Sequence, residues 1–277
     1  MTTTEIKLTH IGPARNLRVI GVQLASPFWP VAPHTQPELI FSDEAKFPVW
    51  ADPARTEERI GKVRGILATL SGLASETLPL DIVVFPEYAV PQAAHLDSTF
   101  QDFADSQNCI LAPGTYVDSD PGSPHFRTNV CRIYLPKAEP IIIGKRNPAP
   151  FEQKYVLPST GPNIARLIWS PPDRDPVSIS FFICRDYLTP FARAATLSQG
   201  ADDTDERREL ELDWMHEGLH VALMHSPETR LFAGIAGLDL RDLRGKPKLT
   251  LLVNGANCAK DHGSALLAPS DASGNDD

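Results

Sequence analysis

The sequence lacks three features that often identify a class of protein: paired cysteines, long apolar runs and excess positive charge. Its four cysteines, at positions 109, 131, 184 and 258, show neither Cys-x-x-Cys spacing nor a disulfide framework. No apolar segment reaches roughly 18 residues and no signal peptide is recognisable, so we expect no membrane contact and a reducing, cytoplasmic setting. A net charge of −9 argues against nucleic acid or an anionic membrane as the main partner.

The chain does have enough apolar sequence for one large domain. It has 277 residues, of which 42% are hydrophobic, and strand-like runs recur without a linker or an internal repeat. We expect a polar extension over residues 1–16, a single domain over 17–269 and a disordered tail over 270–277. The Pro-rich residues 26–55, with two tryptophans, are interpreted as a long insertion that either covers the site or simply packs on the domain.

Hydrophobic periodicity predicts an alternation of strands and helices. An amphipathic helix is expected over Thr56–Glu76, with its apolar face made of Ile60, Val63, Leu67, Leu70 and Leu73. A second helix is expected near 92–106 and a third from Pro190 to Gly200. Strands are predicted at 17–25, 81–85, 109–117, 129–135, 140–145, 165–170, 177–184, 219–226 and 248–254.

Three of these strands end in, or just before, a residue of a different reactive type. Cys184 closes one apolar run, Lys145 closes another, and Glu87 follows two residues after a third. Taken singly, a cysteine of this kind is most often a small buried hydrophobe and a glutamate is most often solvated. Because open α/β sheets place their chemistry at the carboxyl ends of strands, the three together indicate a site at one edge of a sheet.

In that order, Glu87, Lys145 and Cys184 resemble the Glu-Lys-Cys triad of the nitrilase, or carbon–nitrogen hydrolase, superfamily. The first strand, the Cys-x-Asp turn that Cys184 opens, and the Asn-x-x-Asn…His-Gly-x-Ser…Pro pattern over residues 254–269 are also similar to the family's sequences. The resemblance implies an α/β fold, a four-layer α-β-β-α sandwich in which helices cover the outer faces of two packed sheets. It also implies a homodimer through the helix that follows the cysteine.

The family's chemistry suits these residue types. Cys184, as a thiolate, would attack a small amide or nitrile, and Glu87 would carry its proton to the departing amine. Lys145 would stabilise the oxyanion together with the backbone N–H of the residue after the cysteine. Glu152 corresponds to the family's second glutamate, which orients the lysine or the water. Lys154 competes for the lysine role but lies in a polar loop, and neither a cofactor nor a metal is expected.

Substrate choice would depend on residues that neighbour these motifs. Tyr88, Phe151, Arg185 and Asn257 are the candidates for the pocket wall. Arg185, which would supply the second oxyanion donor from its backbone, could also pair with a substrate carboxylate or with a nearby acid in a structural salt bridge. The resemblance favours amides, although nitrile hydrolysis and acyl transfer would use the same triad.

Two other functions compete with this hypothesis. Residues 216–220 read His-Glu-Gly-Leu-His, and on a helix His216 and His220 would share a face and bind zinc, with Glu217 as base. Gly218 would weaken that helix by roughly 1 kcal/mol. The resemblance requires Leu219–Ser226 as a core strand instead. The other competitor is a nitrilase-fold protein that binds an amide or a partner but has lost turnover.

Overall fold

The computed structural model describes residues 17–24, 53–74, 79–92, 94–149, 152–153, 156–170, 175–188, 218–226, 232, 248–255 and 264–267, and the backbone of 2–6. Within them lie helices α1 (Pro53–Leu73) and α2 (Ala94–Gln107). The strands are β1 (Thr2–Ile6), β2 (Val19–Gly21), β3 (Ile82–Val84), β4 (Ile110–Ala112), β5 (Tyr116–Val117), β6 (Asn129–Leu135), β7 (Ala138–Gly144), β8 (Ile164–Trp169), β9 (Val177–Ile183), β10 (Gly218–Met224), β11 (Lys248–Asn254) and β12 (Ala265–Leu267).

These strands form two mixed sheets. In the first sheet, β3 lies between β2 and β4 and is parallel to both, while β6 runs antiparallel to β4, β5 and β7. In the second sheet, β9, β10 and β11 are parallel neighbours, with β8 antiparallel to β9 and β12 antiparallel to β11. Strand β7 is therefore parallel to β3, so the carboxyl ends of these two strands lie at the same edge of the first sheet.

The two sheets pack face to face, and the helices cover the outer face of the first one. Side chains alternate along β3: Ile82 and Val84 join a cluster shared with the second sheet, whereas Val83 faces the helices. The outer cluster also contains the apolar faces of α1 and α2. Each large apolar side chain buried in this way contributes about 1.5–3 kcal/mol to folding. The core therefore lies in two layers, on either side of the first sheet.

Most of the predicted elements are present, with four differences, one of which is that strand β12 was not predicted. The predicted strand 109–117 is two strands, because Pro113 and Gly114, the latter with φ of +96°, interrupt the ladder. Leu73 was predicted on the buried face of α1 but is 66% exposed, since the helix ends there and Ala74 packs on the outer cluster instead. Strand β1, within the expected polar extension, was not predicted; it pairs in parallel with β8.

Several predictions fall on residues that the structure does not describe. Residues 26–52 of the predicted insertion, the predicted helix from Pro190 to Gly200, and the tail over 270–277 all lie outside the described ranges. None of the helices in the described ranges is long and apolar enough to span a membrane.

Gly114 supports the loop that carries Glu87, and we expect alanine there to destabilise the protein. The added methyl group would meet the carbonyl oxygen of Pro86 and would lie 2.6 Å from Cβ of Ala89, at a positive φ. Strain and overpacking together should lower the free energy of unfolding by about 2–4 kcal/mol. Urea denaturation of Gly114→Ala against wild type measures this difference.

Gly61→Ala is the matched control, since a methyl group at Gly61 in the middle of α1 meets nothing within 4 Å among the described residues. It should raise the free energy of unfolding by about 0.5–1 kcal/mol. Equal stability of the two variants would contradict the close packing at Gly114.

Candidate active site

Strand ends from both sheets meet at the candidate site. Glu87 follows β3 and Lys145 directly follows β7 in the first sheet, while Cys184 and His225 directly follow β9 and β10 in the second. All four residues are buried. A thiol, a carboxyl group, an ammonium and an imidazole are thus collected at the joined carboxyl edges of two packed sheets.

Lys145 lies at the centre of this group. Its Nζ donates to Oε1 of Glu87 at 2.7 Å, and to Oε1 and Oε2 of Glu152 at 2.9 and 2.7 Å. Burial alone would lower the pKa of Lys145, but the carboxylates of Glu152 and Glu87 outweigh burial and hold that pKa above its ordinary value. Lys145 is therefore a fixed positive charge rather than a base.

Glu152 is held by donors on several sides. Its Oε1 accepts a hydrogen bond from the hydroxyl of Tyr88, and its Oε2 accepts one from the backbone N–H of Ala149. The carboxylate is completely buried, and these bonds hold it there together with the two hydrogen bonds from Lys145. Glu152 therefore contacts the ammonium of Lys145 through both of its carboxylate oxygens.

Glu87 differs from Glu152 because it can change its protonation near neutral pH. Burial raises the pKa of Glu87 to about 7; Lys145 opposes this rise and the charge of Glu152 adds to it. Its Oε1 also accepts a hydrogen bond from Nδ2 of Asn129 at 2.8 Å, and the thiol of Cys184 lies close enough to this carboxyl group to lower its pKa slightly. A carboxyl group with this pKa, in contact with a thiol, is suited to move a proton.

Cys184 occupies a sharp turn at the end of its strand. Its φ is +46°, an unusual value for a residue with a side chain, and its backbone N–H donates to the carbonyl of Leu223 at 2.8 Å. Burial and the charge of Glu87 raise the pKa of the Cys184 thiol, against the opposing effects of Lys145 and the backbone N–H of His225. The resting thiol is therefore protonated, and the carboxyl group of Glu87 lies close to it.

Sequence reasoning missed two residues of the site. Asn129 donates a hydrogen bond to Glu87. Its amide stands at the start of an otherwise apolar strand, and that position is the signal that could have identified it. His225 follows the apolar run of β10 in the same way that Cys184 follows β9. Burial lowers the pKa of His225 to about 4, so its ring is neutral, and it lies edge-on to Tyr88 with ring centroids 5.8 Å apart.

The predicted pocket residues have mixed outcomes. Tyr88 is buried with its hydroxyl on Glu152, so it contacts the charged cluster directly. Arg185 donates from Nη1 to the carbonyl oxygen of Pro148 at 3.3 Å. Phe151, Asn257 and the competing Lys154 lie outside the described residues.

The zinc hypothesis required a helix through residues 216–220, but residues 218–220 lie in strand β10, in agreement with the predicted core strand over Leu219–Ser226. Gly218 has φ of +85° and begins β10, and His220 lies completely buried within that strand. In a strand, positions i and i+4 lie about 13 Å apart, since the chain rises about 3.3 Å per residue, so this spacing does not bring two ligands to one metal ion. His216 and Glu217 lie outside the described residues.

Comparisons with known proteins agree with this architecture. No family model and no curated protein matches the sequence. Among solved structures, an amidase from Nesterenkonia sp. matches with 15% identity and a TM-score of 0.52, over 91% of this chain and 82% of that one. XC1258 from Xanthomonas campestris, a CN-hydrolase superfamily protein with an arsenic adduct in its active site, matches with 14% identity and a TM-score of 0.51, over 92% and 83%.

A mutant of the Nesterenkonia sp. AN1 amidase matches as well, with 13% identity and a TM-score of 0.51, over 91% of this chain and 83% of that one. It carries the acetamide moiety of fluoroacetamide covalently at its active-site cysteine. The Nesterenkonia AN1 amidase is from the nitrilase superfamily. The chain has the nitrilase fold.

The nitrilase fold accounts for the arrangement of the described elements. Two packed sheets and the helical layer over the first of them correspond to the α/β sandwich that the sequence predicted. Within this nitrilase fold, Glu87, Lys145 and Cys184, which the sequence places at strand ends, come together at one edge with Glu152.

Proposed function

We propose that the protein is a thiol-dependent carbon–nitrogen hydrolase that cleaves a small amide, or a nitrile, through a thioester on Cys184. The observation that carries the proposal is the contact of a buried thiol with a carboxyl group of pKa about 7, beside a fixed ammonium. The fold likeness to an amidase that carries an acetamide moiety on its active-site cysteine supports a small amide as substrate. The catalytic role of each residue is part of the proposal.

In the first half-reaction the thiol becomes an acyl carrier. Glu87 takes the proton of Cys184, and the sulfur electron pair forms a bond to the carbonyl carbon. The negative charge that develops on the carbonyl oxygen is stabilised by the ammonium of Lys145 and by the backbone N–H of Arg185. The carbon–nitrogen bond then breaks, and the proton held by Glu87 passes to the nitrogen, which leaves as ammonia or an amine.

In the second half-reaction water releases the acid. Glu87, once more ionised, takes a proton from water as the oxygen attacks the thioester carbon. The carbon–sulfur bond breaks, the thiolate of Cys184 recovers the proton from Glu87, and the carboxylic acid leaves. Glu152 contacts neither proton and holds Lys145 in place throughout.

The experiment that tests this function is an assay of ammonia release over a panel of small amides and nitriles, with Glu87→Gln as the comparison. The glutamine side chain keeps the size of Glu87 but accepts no proton, so we expect turnover to fall by about 10²–10⁴-fold. Equal turnover by wild type and Glu87→Gln on any substrate of the panel would contradict the proposed proton carrier.

The pH dependence of kcat/KM follows from the state of Glu87. Because its pKa is about 7 and the ionised form is the base, kcat/KM should fall as the pH drops below 7 and level off above it. The fall should approach about tenfold per pH unit. It should be measured at substrate concentrations well below KM, where the rate reports the ionisation of the free enzyme. A profile that stays flat from acidic to neutral pH would show that no group of this kind has to be ionised.

A further inference from the structure

A buried carboxylate outside the charged cluster links the strand ends that carry the thiol and the ammonium. Asp186 is completely buried, two residues after Cys184. Its Oδ2 accepts a hydrogen bond from the backbone N–H of Arg146 at 2.8 Å. Its Oδ1 accepts one from the backbone N–H of Asn147 at 2.9 Å and one from Nδ2 of Asn147 at 2.7 Å.

These bonds cross from one sheet to the other. Cys184 and Asp186 belong to the turn after β9 in the second sheet, whereas Arg146 directly follows Lys145 at the end of β7 in the first. The bond from Nη1 of Arg185 to the carbonyl of Pro148 joins the same two segments. These hydrogen bonds thus link the two turns next to the reacting groups, and the carboxylate of Asp186 accepts three of them.

The hydrogen bonds that Asp186 accepts are of a kind that links two segments stably. Burial raises the pKa of Asp186, but the N–H groups of Arg146 and Asn147 and the charge of Lys145 oppose that rise. Charge-assisted hydrogen bonds of this kind are stronger than neutral ones and hold their geometry closely. Since a misplacement of about 1 Å can cost about 10²-fold in rate, the separation of the two turns matters to catalysis.

We propose that Asp186 is a positioning residue that sets the distance between the ammonium of Lys145 and the thiol of Cys184. The role rests on the proposed function, because Lys145 acts on an oxyanion that forms beside Cys184. Asp186 touches neither the thiol nor a substrate in this role; it acts through the backbone of the two residues after Lys145.

Asp186→Asn is the direct test. The amide has nearly the same shape, but its Nδ2 would face an N–H donor whichever way it turned, because both oxygens of Asp186 now accept from the backbone. We expect kcat to fall by about 10²-fold with KM changed less than about threefold. The rate of Cys184 alkylation by iodoacetamide should also reach half of its maximum at a higher pH, because the ammonium would stabilise the thiolate less.

Asp118→Asn is the matched control. Asp118 is also buried and accepts hydrogen bonds from the backbone N–H of Asp120 at 3.0 Å, from Oγ of Ser123 at 2.6 Å and from Nε2 of Gln92 at 2.8 Å. We expect both substitutions to lower the melting temperature, whereas Asp118→Asn should leave kcat and the alkylation profile unchanged.

Asn147→Ala is a milder second variant that removes one of the three bonds to Asp186, and it should shift kcat and the alkylation profile in the same direction by less. It decides the question if Asp186→Asn does not fold.

Three results would overturn the proposal in distinguishable ways. An active wild type, with Asp186→Asn or, failing that, Asn147→Ala equal to it in both kcat and alkylation profile, would overturn the positioning role alone. A matching loss of kcat in Asp118→Asn would show that the loss in Asp186→Asn comes from general destabilisation of the protein. A wild type that neither turns over any amide or nitrile nor is alkylated at Cys184 would overturn the proposed function, and the role of Asp186 with it.

Discussion

Replacing Cys184 with alanine is expected to lower turnover by about 10⁴-fold or more while the protein stays folded. The thiol is the only group of the site that the proposed chemistry joins covalently to the substrate. The lost packing is small, roughly 1 kcal/mol, since a single buried sulfur is removed. Ammonia release and urea denaturation, measured on the same preparation, give the two quantities.

Cys131→Ala is the control for this variant. Cys131 is also completely buried, in the cluster between the two sheets, and burial raises the pKa of its thiol as well. It should lose as much stability as Cys184→Ala, or somewhat more, and keep wild-type turnover. Full hydrolytic activity in Cys184→Ala would show that the thiol mechanism is wrong.

Replacing Lys145 with methionine is expected to remove both activity and much of the stability. Glu87 and Glu152 would remain buried beside each other without the ammonium that both contact. Removing one partner of a buried ion pair typically costs about 3–5 kcal/mol, and loss of an oxyanion donor costs about 10²–10³-fold in kcat. Urea denaturation and the ammonia assay measure these effects.

The stability deficit of Lys145→Met should depend on pH in a definite direction. Without the ammonium, burial and mutual repulsion raise the folded-state pKa values of the two glutamates above their unfolded values. A carboxyl group of this kind favours the folded state more as the pH falls through its raised pKa, so the deficit should be large near about pH 8 and smaller near about pH 5.5.

Lys62→Met is the control for this variant, because Lys62 makes an exposed ion pair with Glu58 at 2.5 Å. It should cost no more than about 1 kcal/mol. A deficit for Lys145→Met that grows as the pH falls would contradict the account of the charged cluster.

Much of the sheet structure could be predicted because the strands are nearly continuous apolar runs. Strands β6 and β11 have the bounds that the sequence predicted, and β9 differs by one residue. Strand β1 could not be predicted in the same way, because Thr2–Ile6 is short and partly polar and its partner β8 lies far away in the chain. Its formation depends on a long-range pairing, which cannot be predicted from the local sequence pattern.

The site could be predicted where a residue type and a strand end coincide. Glu87, Lys145 and Cys184 were found in this way, and the structure brings them together. The hydrogen bonds that Asp186 accepts from the backbone of Arg146 and Asn147 were not predictable, since they depend on how the two sheets are packed.

The central claim is that Cys184 is an activated nucleophile, and intact-mass spectrometry tests it most directly. Wild type and Cys184→Ala would be exposed to iodoacetamide and to a panel of small amides and nitriles, and the labelled peptide identified. The account predicts rapid single labelling and a trapped acyl adduct on Cys184, both lost in the variant, with the adduct mass indicating the substrate. Slow labelling spread over several cysteines, with no acyl adduct, would contradict it and favour a nitrilase-fold protein that binds without turnover.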